Sequence, residues 1–581
     1  MENCEATIKT PPTALYDFPK LIRGGENKYV DKTELLYRLA KPKTDAQYFI
    51  SRPRRFGKSL MLSTLKAMFE GRRELFKGLA LDSLPWEAWE TPTPVYSFTM
   101  SSANGGTYEK FQAALSVLVA DLCEEIDIPY ISSVDASVNF DAFLKAAAAK
   151  SPTKQIVVLV DEYDEPVAKF LDDLETLKKV RSDLHDFYEK LKVNSGTIRF
   201  LMITGVTKLT KLSIFSGLNH LIDLSMSPEC ATLLGYTPNE LDGPLRENVE
   251  AFAAKNGMDF AAARKTLLSW YDGYRFSPES EAKVCNPVSL GKALKNAELA
   301  NYWEATGQAT LVVNRIKAAK AIPADLNGMV ADPMELDVCD AETLPLAALL
   351  YQGGYLTIKR VRPSGHLELG MPNEEVSSSL AKGYVSTLLR NDMSDWNEKL
   401  ADAQDGLIEK GVETLLKKNL KAAFAAVPHE WKIEDEKEAK RYFLLFMKLI
   451  GADISGERQS ARGRADAILQ DKSGVYVFEF KYGRTAHEAL EQARTKDYAS
   501  PWIDGDAPVF YVGVNYDPEK RGIDDPLVEG VSKENGGLLE LEMGMEPAPA
   551  AFPVRPPNTM PRSFRGSAAS ETTRTSEERV K

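Results

Sequence analysis

Tyr48-Phe49-Ile50-Ser51-Arg52-Pro53-Arg54-Arg55-Phe56-Gly57-Lys58-Ser59-Leu60 runs from an apolar strand-like piece through a turn ending Gly-Lys-Ser into a helical pattern. That order is what a phosphate-binding loop needs. Gly57 permits close backbone approach, helix-start amides face the phosphates, Lys58 adds a point charge, and the Ser59 hydroxyl can ligate Mg²⁺. The usual pattern has Gly where this chain has Arg52. On the loop alone, nucleotide binding and a Gly-Lys-Ser turn with no ligand both stay open.

The stretches that follow bear on that choice. Ile156-Val157-Val158-Leu159-Val160-Asp161-Glu162 is a continuous β-branched run, which suits a strand buried on both faces of a parallel sheet. Its two carboxylates fall at the C-terminal end, where open α/β sheets bind ligands. Behind a phosphate loop, Asp161 is expected to help hold Mg²⁺ and Glu162 to polarise the attacking water. The bland reading is acids that follow a strand as the chain emerges into solvent. A further buried strand, Arg199–Val206, ends near Thr204, either a polar sensor of the γ-phosphate or a turn residue. With strands at Gln47–Ser51, Pro94–Met100 and Leu221–Ser225, the pattern predicts a five-stranded sheet. Tyr29–Leu39 is either a lead-in packed beside the nucleotide base or a plain N-terminal helix.

The bulk properties set the frame. At 581 residues the chain is too long for a single core. Its 44% hydrophobic and 27% charged content is ordinary for globular protein. No apolar run is long enough to span a bilayer, and Met1-Glu2-Asn3-Cys4 opens without a signal-peptide pattern. Five scattered cysteines read as reduced thiols, which predicts a cytoplasmic protein, and five dispersed histidines leave little for a zinc site. A net charge of −12 argues against wholesale coating of nucleic acid but leaves room for a local basic groove.

Arg-Pro-Arg-Arg-Phe-Gly-Lys-Ser (52–59), Val-Asp-Glu-Tyr-Asp (160–164) and Thr-Gly-Val-Thr-Lys (204–208) together resemble the AAA-ATPase-like family of bacterial and archaeal proteins. So do Trp270–Phe276, Cys285-Asn286-Pro287 and Tyr351–Thr357. Arg52 is the usual residue in that family. The resemblance covers roughly residues 15–380. It implies ATP and Mg²⁺, with Arg54, Arg55, Phe56, Gly57, Lys58, Ser59, Asp161 and Thr204 around the nucleotide and Glu162 as the catalytic acid. Residues 227–330 read as a helical lid. In it Arg275 is either a charge facing the nucleotide or a cation–π partner of Trp270 or Tyr274. Leu349–Arg360 and Leu367–Met371 look like a small β unit.

A second constellation lies at residues 434–516. Glu434–Ile450 is an amphipathic helix carrying Glu438 and Tyr442 one turn apart. Gly463–Leu469 and Val475–Tyr482 read as strands joined by a hairpin turn at Asp471–Gly474. Strand alternation puts Glu479 and Lys481 on one face and Phe478 and Phe480 on the other, and pairing can bring Asp466 to the polar face. Two acids and a lysine so placed suit metal-dependent phosphodiester hydrolysis, though Glu-Phe-Lys in an alternating strand is often just a solvated face. The element order with Asp…Glu-x-Lys resembles the PD-(D/E)xK nuclease superfamily. That resemblance implies Asp466, Glu479 and Lys481 as catalytic residues, Glu438, Asp466 and Glu479 as Mg²⁺ ligands, and Gln492, Lys496 and Tyr498 as auxiliary positions. Ala465 stands where that superfamily has Pro.

The fold expected is α/β: a P-loop (AAA-like) parallel sheet with a helical lid, followed by a small PD-(D/E)xK nuclease-like domain. The divisions expected are 1–226 for the ATPase core, 227–330 for the lid, 331–425 for a β unit and helical connector, 426–530 for the nuclease-like domain and 546–581 for a disordered tail. The function expected is an ATPase coupled to a Mg²⁺-dependent nuclease acting on DNA. The alternative is a nucleotide-gated binding or signalling protein, with protein partners, whose nuclease fold is not catalytic. Oligomerisation on ATP is a further expectation.

Overall fold

The computed structural model describes residues 8–41, 46–103, 105–171, 173–208, 220–303, 309–319, 321, 323–337, 345–389, 393–425, 433–452, 454–460, 463–503, 505 and 507–531. The expectation for 546–581 lies outside them.

Five parallel strands form the first sheet: β1 (Gln47–Ser51), β2 (Val95–Thr99), β3 (Ile156–Asp161), β4 (Ile198–Gly205) and β5 (Ile222–Asp223), in the order β2-β3-β4-β1-β5. The strand carrying the loop therefore has β4 on one side and β5 on the other. The strand ending in the two acids lies one place further along. The β-branched run of β3 is buried because both faces of the sheet are covered. Val157 and Leu159 face the side of helix α1 (Lys58–Phe69). Ile156, Val158 and Val160 face helices α2 (Tyr108–Glu125), α3 (Ala136–Lys150) and α4 (Leu174–Val193).

The region after the sheet is largely helical, with α5 (Phe260–Tyr271) and α6 (Pro287–Asn296). Asn286 explains part of the Cys-Asn-Pro motif: its Oδ1 accepts from the amides of Val288 and Ser289 while Pro287 occupies the first helical position, where no amide is needed. A three-stranded antiparallel sheet follows, in the order β6 (Met329–Ala331), β8 (Leu367–Gly370), β7 (Thr357–Val361). The extended unit expected from Leu349 is corrected here. Leu346–Gln352 is a buried helical turn, and extended structure begins only at Thr357, after the Gly353-Gly354 turn.

Helix α7 (Glu374–Leu389) leads towards the C-terminal unit and packs on α8 (Glu436–Leu449). That unit is a mixed sheet in the order β13 (Gly522–Ile523), β12 (Val509–Asp517), β11 (Gly474–Tyr482), β10 (Gly463–Asp471), β9 (Ile454–Ser460), with β14 (Leu527–Val531) also paired to β12. Helix α9 (Ala486–Thr495) crosses between β11 and β12, which run parallel. The core is continuous between the units: Leu380, Ala381 and Tyr384 of α7 belong to the same apolar cluster as Leu65 of α1 and Phe443, Phe478 and Phe480. No helix among the described residues is long and apolar enough to cross a membrane.

Candidate functional site

The loop between β1 and α1 is shaped by two left-handed residues, Arg55 (φ 67°) and Gly57 (φ 90°). The glycine adopts this conformation freely, whereas the arginine is held there at a cost of about 1–2 kcal/mol. Lys58 is buried and turned into the loop, its Nζ 2.8 Å from Arg52 O and 3.0 Å from Pro53 O. Burial lowers its pKa, opposed by Asp161, Asp164 and Glu162. The Ser59 hydroxyl donates to Asp161 Oδ2 at 2.5 Å, and the Thr204 hydroxyl donates to Asp161 Oδ1 at 2.5 Å. Three segments distant in sequence thus meet on one carboxylate.

Glu162 stands next to it at φ 52°, a strained conformation for a residue with a Cβ. Its Oε2 accepts from the Ser101 hydroxyl. Burial raises its pKa, reinforced by Asp161 and Glu165. Asp164 ties the second and third motifs together, accepting from the Thr207 amide at 2.7 Å and the Thr207 hydroxyl at 2.6 Å. Arg54 pairs with Glu165 at 3.1 Å, and Arg55 Nη1 donates to Tyr302 O at 2.9 Å.

Arg52 has a structural answer. It is fully buried, donates to Ser51 O, Ser225 O and Cys230 O, and lies 4.1 Å from the centre of the Phe276 ring. It straps the loop to the segment after β5. Phe56 packs edge-on against Tyr274 and Phe276, so the lid motif forms the back wall of the loop. Gly354 closes that wall: at φ 82° it lies so near Pro53 and Trp303 that a Cβ would come within 2.8 Å of both. Arg275 does neither of the things expected of it. It is buried and donates to Ser277 O, Pro278 O and Ser280 O and to Glu281, clamping its own loop.

Beside the loop lies a half-open, mainly apolar pocket of about 70 Å³, lined among others by Tyr29, Val30, Phe56, Leu60, Leu234 and Tyr236. The lead-in segment, the start of α1 and the segment Leu233–Tyr236 thus line one pocket, and Thr33–Ala40 of the lead-in is a helix.

In the C-terminal unit the β10–β11 ladder runs from Asp471↔Gly474 to Ala467↔Phe478. Beyond it the Phe480 amide donates to Asp466 Oδ2 at 2.8 Å, so a side chain replaces the backbone acceptor where the strands part. Glu479 and Lys481 share a face, with Lys481 Nζ 3.0 Å from Glu479 Oε1, while Phe478 and Phe480 pack on Phe443. The face is not solvated, because Glu479 and Lys481 are both buried. Burial, with Asp466 nearby, pushes the Glu479 carboxyl up to about 7 against the pull of Lys481. Gln492 also donates to Glu479 Oε1. It reaches there because Gly513 on β12 lets α9 press close: a Cβ would meet Ala486 O at 2.2 Å.

Glu438 is not brought to this cluster. Its carboxylate accepts from the Glu434 amide at 2.7 Å, at the start of α8. The helix acid that faces the strands is Glu436, 3.7 Å from Lys481 Nζ, and one turn on Lys440 pairs with Asp466 at 2.9 Å. Residues two apart on a helix point some 200° apart, so Glu436 and Lys440 share a face that excludes Glu438. The sequence signal for Glu436 is this i,i+4 partnership with Lys440.

Among the described residues no three acids, histidines or cysteines gather into one ligand group, but each site pairs oxygens that suit a divalent cation. Among the described residues Glu479 Oε2 is buried without a hydrogen-bond partner beside a second carboxylate, Asp466. A hard cation satisfies such oxygens. Ser59 and Asp161 form a hydroxyl–carboxylate pair of the kind that would hold Mg²⁺ under a nucleotide.

A central parallel sheet with this loop, acid pair and Thr204, followed by a sheet bearing Asp…Glu-x-Lys, defines a P-loop ATPase-like core joined to a PD-(D/E)xK nuclease-like domain. Residues 12–215 match the model of the AAA-ATPase-like family, described as "Predicted AAA-ATPase", and residues 434–525 match that of the PD-(D/E)XK nuclease superfamily. The chain is also 30% identical over 535 residues to an "Uncharacterized protein in vnfD 5'region" of Azotobacter chroococcum mcd 1, covering 90% of this chain and 99% of that one. The chain belongs to the AAA-ATPase-like family and carries a C-terminal PD-(D/E)XK nuclease superfamily domain.

Proposed function

We propose that this protein binds and hydrolyses ATP and uses the nucleotide state to control a Mg²⁺-dependent nuclease that cuts DNA in the bacterial cytoplasm. The observation that carries the reading is the convergence of Ser59 and Thr204 on Asp161, one residue from Glu162. The apolar cavity takes the adenine, and the loop amides and Lys58 hold the phosphates. Bound Mg²⁺ withdraws charge from the phosphates. Glu162, its pKa raised by burial, accepts the proton of the attacking water, and Thr204 orients that water or the γ-phosphate.

In the nuclease domain Asp466 and Glu479 hold the metal and Gln492 fixes the Glu479 carboxylate. Lys481 positions the attacking water and neutralises charge developing on the scissile phosphate. Coupling between the sites is supported by α7, which starts beside the loop's back wall and packs on α8, the helix of Glu436 and Lys440.

The test is purified protein with single-stranded, double-stranded and branched DNA, with and without ATP and Mg²⁺. Phosphate release and metal-dependent cleavage are expected. ATP turnover unchanged in Lys58→Ala, or cleavage unchanged in Asp466→Ala, overturns the corresponding half.

A further inference from the structure

Glu375 stands beside Glu374 in the first turn of α7. It is fully buried. Its Oε1 accepts from the Tyr302 amide at 2.8 Å and from the Trp303 amide at 3.0 Å. Neither Glu375 Oε2 nor Ser289 Oγ has a conventional hydrogen-bond partner among the described residues, although Ser289 is Glu375's neighbour on α6. Burying a carboxyl is unfavourable unless it is hydrogen-bonded or paired, and here the two amide bonds offset part of that cost.

What they hold is the turn behind the phosphate loop. The same Tyr302 whose amide donates to Glu375 presents its carbonyl to Arg55 Nη1 at 2.9 Å. Trp303 abuts Gly354, which in turn touches Pro53 of the loop. Arg55 sits at φ 67°, a conformation that an arginine keeps only when its surroundings hold it. A chain of direct contacts thus runs from Glu375 through one peptide segment to a strained residue of the loop.

We infer that Glu375 is a positioning residue for nucleotide binding: through the Tyr302 main chain it holds Arg55, and with it the phosphate loop, in the conformation that accepts ATP. This rests on the reading that the loop binds ATP. Glu375 reaches Arg55 through the Tyr302 main chain.

The test is titration of the full-length protein with a fluorescent ATP analogue in the presence of Mg²⁺, alongside thermal melting without nucleotide. Wild type should bind saturably and Lys58→Ala should not; if both behave alike, the nucleotide reading fails whatever Glu375 does. Glu375→Met removes both acceptor bonds without opening a cavity and should weaken binding five-fold or more. Glu375→Gln, which keeps an acceptor for both amides, should bind within two-fold of wild type. Arg55→Ala should weaken binding comparably to Glu375→Met. The double variant Arg55→Ala/Glu375→Met should be no weaker than the weaker single, because both changes break one chain of contacts. Should the Met variant not melt cooperatively, Glu375→Asp, one methylene too short to reach both amides, replaces it. Binding within two-fold of wild type in the folded Met or Asp variant, or additive losses in the double variant, overturns the inference.

Discussion

The Ser59 hydroxyl and the Asp161 carboxylate are 2.5 Å apart, though 102 residues separate them in the chain. The bond joins the first turn of α1 to the tip of β3, and Thr204 holds the other oxygen of the same carboxylate. Asp161 is therefore fixed in orientation from two sides, while the neighbouring Glu162 carboxylate accepts from the Ser101 hydroxyl. Glu162→Gln keeps the size and the strained backbone but cannot accept a proton. ATP turnover should fall by roughly 10²–10⁴-fold while affinity for the fluorescent analogue stays within a few-fold. Steady-state phosphate release and binding titration check the two halves, and unchanged turnover removes Glu162 from the chemistry.

Glu479 Oε2 is the buried oxygen that a cation would satisfy. Adding Mg²⁺ or Ca²⁺ should raise the melting temperature of wild type and leave Asp466→Ala unmoved, because binding to the folded state alone stabilises it. Chelation with EDTA should stop DNA cleavage and return the melting temperature to its metal-free value. A metal-induced shift of equal size in Asp466→Ala would place the metal elsewhere.

Glu436 and Glu438 separate cleanly in their expected effects. Glu436 faces Lys481, whereas Glu438 accepts from a backbone amide at the helix start. Glu436→Ala should lower cleavage at least ten-fold with little change in melting. Glu438→Ala should cost about 0.5–1 kcal/mol of stability through the lost terminal hydrogen bond and leave cleavage near wild type. Cleavage assays and denaturant melts on both variants decide it, and the reverse ranking would restore Glu438 to the site.

These pairs show which features a sequence exposes. The strand ends bearing Asp161, Glu162 and Thr204 are legible because a β-branched run fixes both the strand and the sheet edge at which it ends. Glu479 and Lys481 are legible for the same reason, since alternation along a strand leaves one choice of face. Helix faces are less determined: with acids at 434, 435, 436 and 438, the docking of α8 on the sheet decides which one meets Lys481. Arg52 is opaque in sequence because its partners, Ser225 O and Cys230 O, are main-chain groups more than 170 residues away. Glu375 is hidden because an acid in a helix's first turn is ordinarily explained by the helix dipole, and nothing local reports its burial.

Glu375 also carries a stability signature with a definite sign. Burial pushes its carboxyl up to about 8, with Ser289, the Tyr302 and Trp303 amides and Arg55 pulling it down. The tyrosines that face it, Tyr271, Tyr274 and Tyr302, have pKa values raised by their own burial and stay neutral through this range. In the unfolded chain the group titrates near 4.5, so between 4.5 and 8 the folded state holds a proton that the unfolded state has released. Stability from this group is therefore complete below 4.5 and is lost as pH rises towards 8. Glu375→Gln mimics the protonated form at every pH and lacks that slope. Wild type should match the variant near pH 5 and fall behind it by pH 8.5, on the order of a few kcal/mol. Urea denaturation of both proteins across that range measures the difference. Parallel curves would mean that Glu375 is already ionised in the folded protein, its charge compensated by Arg55.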